Sequence, residues 1–185
     1  MMDSYMDIVI KPDAEMRENV LLNKVYTKLH KALCEQKSTD VGVSFPRYKV
    51  LLGNLVRIYG DEARLLGLEA LDWLGGLSGY CDVSAVQRVP SDVVYRTISR
   101  KQSNMTEAKL RRLIKRGSIL PETVKVYKAK MFEEGLDNPY LELESTSSGH
   151  KYRRYIQFGE LRPKPAKGEF DQFGLSKTAT VPWFD

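Results

Sequence analysis

Hydrophobic residues in the first half of the chain recur with two different periods, and these periods predict strands and helices. Residues 5–10 alternate and stop before Pro12, as in a strand, whereas residues 17–36 carry apolar positions at helical spacing. Asp61 is a candidate N-cap for a second helix. The predicted order is strand, helix, strand, strand, helix, strand at residues 5–10, 17–36, 41–45, 51–59, 61–73 and 80–89. This is the order of a ferredoxin-like split βαβ unit.

The second half of the chain predicts another set of elements after Pro90, a candidate domain boundary. Asn104 or Thr106 is the expected start of a basic helix, and Gly117 is its expected end. The pattern predicts an extended segment at 93–100, this basic helix, a further helix at 122–134, and strands at 140–144 and 151–158.

The chain has 185 residues, enough to bury a hydrophobic core as one domain or two small ones. We predict an α+β fold, with a ferredoxin-like domain at residues 1–90 and a smaller domain with the basic helix at residues 91–185. Cys34 and Cys81 are the only cysteines, and no apolar signal segment starts the chain, so we expect free thiols and a cytoplasmic protein. No apolar run is long enough to predict a membrane span.

Positive charge is concentrated between residues 96 and 130, where eleven Lys or Arg residues stand against two acidic residues. The net charge is +5 despite 24 acidic residues, so the basicity is local. A helix here places Leu110, Leu113 and Ile114 in one arc, because each residue advances by about 100°. The opposite arc holds Lys109, Arg111, Arg112, Lys115 and Arg116. Such a face suits a phosphate backbone, with a solvated surface helix or an anionic membrane surface as alternatives.

The chain contains two histidines, so imidazole chemistry must use His30 or His150. His30 lies at the margin of the apolar stripe of the first predicted helix, where the core can shield it while it still reaches a cleft. Its ring would suit proton transfer near neutral pH, although a half-buried structural histidine fits the same position. His150 falls in a predicted turn and fits a surface residue or a phosphate contact.

Metal and nucleotide chemistry have little support in the sequence. His30 and Cys34 share one helix face, but zinc needs three or four protein ligands, and Cys81 and His150 show no ligand spacing. The chain has no Gly-rich phosphate loop, no nucleophile elbow and no cluster of acidic metal ligands. We therefore expect neither a metal site nor a cofactor.

Three other segments carry groups that suit nucleic acid. Residues 145–149 offer four hydroxyls before a glycine, which could bind a phosphate or form an ordinary hairpin loop. Arg100 and Gln102 offer paired donors and acceptors for base edges. Tyr152, among basic neighbours, could stack on a base or be an ordinary strand aromatic.

Eight segments occur in the same order and with similar spacing in one known family. They are residues 5–8, 28–30, 42–46, 99–102, 110–116, 145–149, 173–177 and 182–184, among them Gly42-Val-Ser-Phe-Pro46 and Pro182-Trp-Phe184. The chain resembles, from end to end, the CRISPR repeat-processing endoribonuclease of type I-F systems, a branch of the sixth CRISPR-associated protein family. Residues 47–90 match least well.

The resemblance implies a metal-independent endoribonuclease that cuts precursor CRISPR RNA at the 3′ base of each repeat hairpin. The ribose 2′-hydroxyl would attack the neighbouring phosphate and leave a 2′,3′-cyclic phosphate and a 5′-hydroxyl. The protein would stay on the product hairpin as a subunit of the interference complex (Cascade), beside its backbone and crRNA-end-capping proteins. It would meet target DNA only through that complex.

The resemblance also implies a role for individual residues. His30 matches the catalytic histidine, and Ser145 matches the serine that holds the 2′-hydroxyl. Arg100 and Gln102 match the pair that reads base edges at the bottom of the stem. The other expected RNA contacts are the phosphate neighbours Ser147 and Ser148, the stacking residue Tyr152, and the groove-helix residues Lys109, Arg111, Arg112, Lys115 and Arg116.

Phe173 departs from the family pattern, although it also stands among the expected RNA-contacting residues. Well-known members have a tyrosine there, whose hydroxyl helps to orient the histidine. A phenyl ring can pack against an imidazole but cannot hydrogen-bond to it, so slower cleavage is one expectation. A catalytically weak or inactive subunit that serves as an RNA-hairpin scaffold is the alternative.

Overall fold

The computed structural model describes residues 2–102, 107–133, 137–145 and 148–185. Ser147 and the expected helix starts Asn104 and Thr106 therefore lie outside the described residues. The chain forms two compact units, one of Met1–Arg100 with Pro139–Asp185 and the other of Lys101–Asn138. It is a mixed α/β protein with antiparallel sheets.

The first unit begins with the six elements that the hydrophobic periods predict. They are β1 (Ser4–Ile10), α1 (Glu18–Glu35), β2 (Gly42–Ser44), β3 (Leu55–Gly60), α2 (Glu62–Glu69) and β4 (Cys81–Val83), followed by a two-residue strand β5 (Gln87–Arg88). The strands form one antiparallel sheet in the order β2-β3-β1-β4, and β5 also pairs with β1. The predicted last strand at residues 80–89 is thus two short strands.

Helix α1 packs on the core because its apolar residues recur on one face. Leu21, Val25, Leu29 and Leu33 are fully or almost fully buried. Helix α2 starts as the sequence predicts, since the Asp61 carboxylate accepts the backbone N–H of Arg64 at 2.8 Å. It ends earlier than expected, at Glu69, and the chain continues through a 3-10 helix at Gly75–Tyr80.

The remaining strands form two further sheets. They are β6 (Val94–Arg96), β7 (Ile98–Lys101), β8 (Tyr140–Glu144), β9 (Lys151–Phe158) and β10 (Val181–Trp183). The sheet orders are β7-β9-β8 and β10-β6. Strands β8 and β9 are an antiparallel pair in which Glu144 lies opposite Lys151, so both ends of the serine-rich turn lie at one end of this pair.

One hydrophobic core joins residues from both halves of the sequence. Ile8 of β1, Ile156 of β9 and Val181 of β10 are buried in the same cluster. The compact units therefore do not follow a division at residue 90. The functional division into residues 1–90 and 91–185 stays a prediction.

The second unit contains α3 (Glu107–Lys115), a 3-10 turn at Pro121–Thr123, and α4 (Val124–Glu133). Gly117 follows α3 with φ of 70°, a left-handed conformation that glycine adopts without steric cost, and its N–H donates to the carbonyl of Ile114. Glu107 pairs with Lys128 of α4 at 3.6 Å. In the described part of the chain, no helix has both the length and the apolar character needed to cross a membrane.

Candidate active site

His30 lies on α1 at the edge of its buried stripe, half-buried between Leu29 and the exposed Lys31. Its imidazole stacks on the ring of Phe173, with ring centroids 3.6 Å apart and planes within 9° of parallel. The stack fixes the plane of the imidazole, because any tilt would lose contact with the phenyl ring.

A main-chain carbonyl fixes which ring nitrogen of His30 carries the proton. Nδ1 lies 2.8 Å from the carbonyl oxygen of Gln172, which can only accept, so Nδ1 is the donor. In the neutral ring Nε2 then keeps its lone pair. The Cys34 thiol lies 3.7 Å from Nε2 and donates to Oε1 of Gln172 at 3.1 Å. Nε2 is therefore the ring nitrogen that can accept a proton.

A tight turn at residues 171–175 holds the carbonyl and the phenyl ring. Oδ1 of Asp171 accepts the backbone N–H groups of Phe173 and Leu175 at 2.9 and 3.0 Å. Gly174 has φ of 69°, and a Cβ there would collide with Val43. The turn is tied to α1, because the Tyr26 hydroxyl donates to the carbonyl of Phe173. Burial raises the pKa of Tyr26, so its phenol remains a donor at neutral pH.

His30 lines a cavity of about 400 Å³ that lies between α1, the ends of β8 and β9, and the turn at residues 171–175. Its lining includes four residues that the sequence marked as candidates: His30, Ser145, Tyr152 and Phe173. Lys31 contributes a cation, while Glu35 and Glu144 contribute acids. Burial raises the pKa of the Cys34 thiol, and the charge of Glu35 acts in the same direction, so the thiol stays protonated.

Two backbone hydrogen bonds join Ser145, at the end of β8, to the residues that precede β9. The N–H of Ser145 donates to the carbonyl of His150 at 2.9 Å, and its carbonyl accepts the N–H of Gly149 at 2.8 Å. Gly149 has φ of 62°, a left-handed conformation that glycine adopts without steric cost. The turn places Ser145 at the cavity and leaves Ser148 exposed.

Comparison with known proteins gives a family match along the whole chain. The family model described as CRISPR-associated protein (Cas_Csy4) matches residues 5–184. The chain belongs to the Cas_Csy4 family. A protein of Escherichia coli (strain UTI89 / UPEC) named "CRISPR-associated endonuclease Cas6/Csy4" is 38% identical over 184 residues, covering 99% of this chain and 100% of the relative. A protein of the same name from Pseudomonas aeruginosa (strain UCBPP-PA14) is 35% identical over 187 residues, covering 99% and 100%.

Comparison with solved structures also matched one that is titled "Structure A of CRISPR endoribonuclease Cse3 bound to 19 nt RNA". It is 13% identical, covers 97% of this chain and 100% of its own, and has a TM-score of 0.41. A score this low is not evidence of a shared fold.

Among the described residues, the remaining candidates of this Cas_Csy4 chain do not line the histidine cavity. Arg100 lines a second concavity of about 410 Å³, which shares Phe173 with the first. Gln102 is exposed just after β7. The basic residues of the helix belong to the second compact unit, and all are exposed: Lys109, Arg111, Arg112, Lys115 and Arg116. Leu110 of the apolar arc is buried, whereas Ile114 is 47% exposed.

Sequence reasoning missed two groups that contact this part of the Cas_Csy4 chain. Gln172 acts through its backbone carbonyl, which has no signature in a sequence. Arg154 holds its guanidinium carbon 3.6 Å from the centroid of Phe173. A signal for Arg154 existed, because it occupies the same alternating face of β9 as the buried Ile156.

Metal ligands are sparse in the described part of the Cas_Csy4 chain. Within it, no group of three or more His, Cys, Asp or Glu side chains is placed to hold a metal ion. Cys34 is half-buried and Cys81 is buried, and both thiols are free.

Proposed function

We propose that this Cas_Csy4 chain is a metal-independent endoribonuclease that cuts precursor CRISPR RNA at the 3′ base of the repeat hairpin. The two relatives described above are named CRISPR-associated endonucleases. The observation that carries the proposal is the tautomer of His30: Nδ1 donates to a main-chain carbonyl, which leaves Nε2 as an acceptor in a cavity shared with Ser145. A histidine in this state is suited to act as a general base.

The proposed reaction is an internal transesterification. Nε2 of His30 takes the proton of the ribose 2′-hydroxyl, whose oxygen forms a bond to the adjacent phosphorus. The bond from phosphorus to the 5′-oxygen breaks, and that oxygen takes up a proton from the imidazolium or from water. The products are a 2′,3′-cyclic phosphate and a 5′-hydroxyl. The attacking oxygen starts next to the phosphorus, so the protein supplies mainly position, proton transfer and charge compensation.

The other residues of the cavity take supporting roles in this proposal. Ser145 holds the 2′-hydroxyl, and Lys31 offsets charge that develops on the phosphate. Tyr152 stacks on the closing base pair, and Ser147 and Ser148 contact phosphate oxygens.

RNA affinity comes mainly from outside the cavity. Arg100 and Gln102 read base edges at the bottom of the stem. The basic face of α3 lies in the major groove of the hairpin and contacts phosphates. Side chains rarely read bases in the deep, narrow major groove of A-form RNA, so this helix anchors the hairpin more than it discriminates sequence.

We also propose a ferredoxin-like arrangement for the first six elements. The strand order β2-β3-β1-β4 and its antiparallel pairing support this arrangement. After cleavage the protein stays on the 3′ hairpin as a subunit of the interference complex (Cascade), next to its backbone and crRNA-end-capping proteins.

The two histidines allow a matched test of the catalytic claim. His30→Ala removes the proposed base, so single-turnover cleavage of a repeat RNA should fall by about 100-fold or more. Affinity for the hairpin should change by less than about 3-fold, because the cavity contributes few of the phosphate contacts. His150→Ala is the control, since the His150 side chain is exposed and the variant keeps the backbone carbonyl that accepts the N–H of Ser145.

A second candidate function is an RNA-binding scaffold without useful catalysis. The observation that favours it is Phe173, which has no hydroxyl to orient His30. The same experiment separates the two functions, because a scaffold would bind the hairpin tightly and show equally slow cleavage with wild type and both variants. A fully active His30→Ala protein would exclude His30 from the mechanism altogether.

A further inference from the structure

Arg154 is a buried cation for which the described residues supply no anionic partner. Its side chain is on β9, and the residue is 7% exposed. Its Nε is enclosed and has no hydrogen-bond partner in the part of the chain that the structure describes. The other buried arginine, Arg57, forms a two-point ion pair with Asp7. Arg154 therefore differs from the usual buried arginine, which is held by a carboxylate.

Phe173 separates Arg154 from His30. The guanidinium carbon and the imidazole centroid each lie 3.6 Å from the phenyl centroid, and the imidazole is nearly parallel to the phenyl ring. Two groups at stacking distance cannot occupy one face of the same ring, so they lie on opposite faces. A cation over a ring face is attracted to it, but this attraction replaces only part of the hydration that a buried guanidinium loses.

Arg154 and Phe173 both line the second concavity. This concavity has a volume of about 410 Å³, and Arg100, Arg154 and Gln172 line it with Ser38 and Thr39. Asp171 also lines it, but its Oδ1 accepts two backbone N–H groups of its own turn. Neither arginine forms an ion pair with Asp171 in the described structure. The side chains that line the second concavity thus include two cations and several hydroxyl or amide groups.

We propose that this concavity is an anion subsite that takes a phosphate group, with Arg154 as its main cation and Arg100 at its edge. A guanidinium matches phosphate oxygens with two parallel N–H donors. Occupation would supply the partner that Arg154 lacks. The inference rests on the proposed function only in naming the source of the phosphate. That source is a backbone phosphate of the bound RNA strand, which would lie on the opposite side of Phe173 from the reacting phosphate.

The first test uses inorganic phosphate and needs no cleavage. Thermal unfolding is measured with phosphate replacing chloride at constant ionic strength, for wild type, Arg154→Met and Arg153→Met. Arg153 is the matched control, because it is the preceding residue on the same strand and pairs with Glu142 at the surface. Phosphate should raise the melting temperature of wild type and Arg153→Met by several degrees and leave Arg154→Met unchanged.

Thermal unfolding in chloride alone tests whether Arg154 lacks an anionic partner in the folded protein. Removing an uncompensated buried charge should leave Arg154→Met at least as stable as wild type. An Arg154→Met protein that is less stable in chloride, and that gains as much from phosphate as wild type, would overturn the proposal. If this variant does not fold, phosphate titration of wild type followed by the Arg154 Nε–H NMR resonance decides, since an unshifted resonance would also overturn it.

The second test identifies the source of the phosphate. Neutral methylphosphonate linkages are placed one at a time in an uncleavable 2′-deoxy-modified hairpin RNA. One linkage should weaken wild-type binding by about 10-fold and have no effect on Arg154→Met. If inorganic phosphate binds but no linkage behaves in this way, the anion subsite stands and its occupant is free phosphate. If neither probe depends on Arg154, the subsite is excluded, whether or not the protein cuts RNA.

Discussion

At the scale of single residues, the orientation of His30 depends on a backbone atom and a ring. The carbonyl of Gln172 sets the protonated nitrogen, and Phe173 sets the plane of the imidazole. Neither contact needs a side-chain hydroxyl. Phe173 can therefore hold the histidine in place without the hydrogen bond that a tyrosine would offer.

Substitutions at Phe173 and at the neighbouring Gln172 test the ring stack separately from the hydrogen bond to the backbone carbonyl. Phe173→Ala removes the stacking surface, so single-turnover cleavage should fall by about 10-fold to 100-fold, because small displacements of a catalytic group are costly. Gln172→Ala keeps the backbone carbonyl and should change the rate by less than about 3-fold. Equal rates for Phe173→Ala and wild type would show that the stack does not position His30.

Only part of this site could be predicted from residue types. His30, Ser145, Tyr152 and Phe173 were predictable candidates, and the structure brings them to one cavity. The acceptor for Nδ1 was not predictable, because a backbone carbonyl is common to all residues. The buried position of Arg154 depends on which face of β9 packs on the core, and Arg154 shares that face with the buried Ile156.

At the scale of elements, α3 concentrates positive charge on one exposed face. Glu107 is the one acidic residue of α3, and it pairs with Lys128. The five basic residues of the predicted face are exposed. This arrangement suits a helix that binds phosphates, whereas catalysis is proposed for a different unit of the chain.

Substitutions on α3 should weaken RNA binding without changing the chemical step. Arg112→Ala or Arg116→Ala should each reduce hairpin affinity and lower the slope of log affinity against log salt by about 1. The cleavage rate of the bound complex should stay within about 3-fold of wild type. Lys11→Ala is the control, since Lys11 pairs with Asp82 on another part of the chain. If the slope in both variants equals that of wild type, α3 is a solvated surface helix and does not bind phosphates.

Elements with a strong local pattern were predicted well. Strands β8 and β9 have the predicted bounds, and α1 agrees with its prediction within a residue at each end. Strand β10 was missed, because its three residues include Pro182 and its pairing with β6 depends on distant sequence. Local pattern predicts local elements, and it carries little information about pairing between strands that are more than 80 residues apart in sequence.

At the scale of the whole molecule, the C-terminus is fixed to the first sheet by a buried arginine. Arg57 of β3 pairs with Asp7 of β1, donates to the carbonyl of Phe184 at 2.8 Å, and lies over the rings of Tyr5 and Phe184. These contacts join residues from both ends of the sequence within the first compact unit. The last residues of the chain complete the core around the first strands.

The buried pair of Asp7 with Arg57 and the exposed pair of Asp3 with Arg88 allow a matched test of how much the buried arginine stabilises the fold. Asp7→Asn leaves Arg57 buried without its counter-charge, so the free energy of unfolding in urea should fall by about 3 kcal/mol. Asp3→Asn disrupts the exposed pair with Arg88, which should cost about 1 kcal/mol or less. Equal losses in the two variants would contradict a special role for the buried pair.

The proposed chemistry as a whole depends on an internal nucleophile and no metal. The most direct measurement is single-turnover cleavage, in excess EDTA, of a repeat RNA with one 2′-deoxy nucleotide immediately upstream of the cut. The unmodified RNA should be cut at one position and end in a 2′,3′-cyclic phosphate, whereas the deoxy RNA should bind with similar affinity and remain intact. Equal cutting of both RNAs, or cutting that stops in EDTA, would contradict 2′-hydroxyl attack assisted by His30.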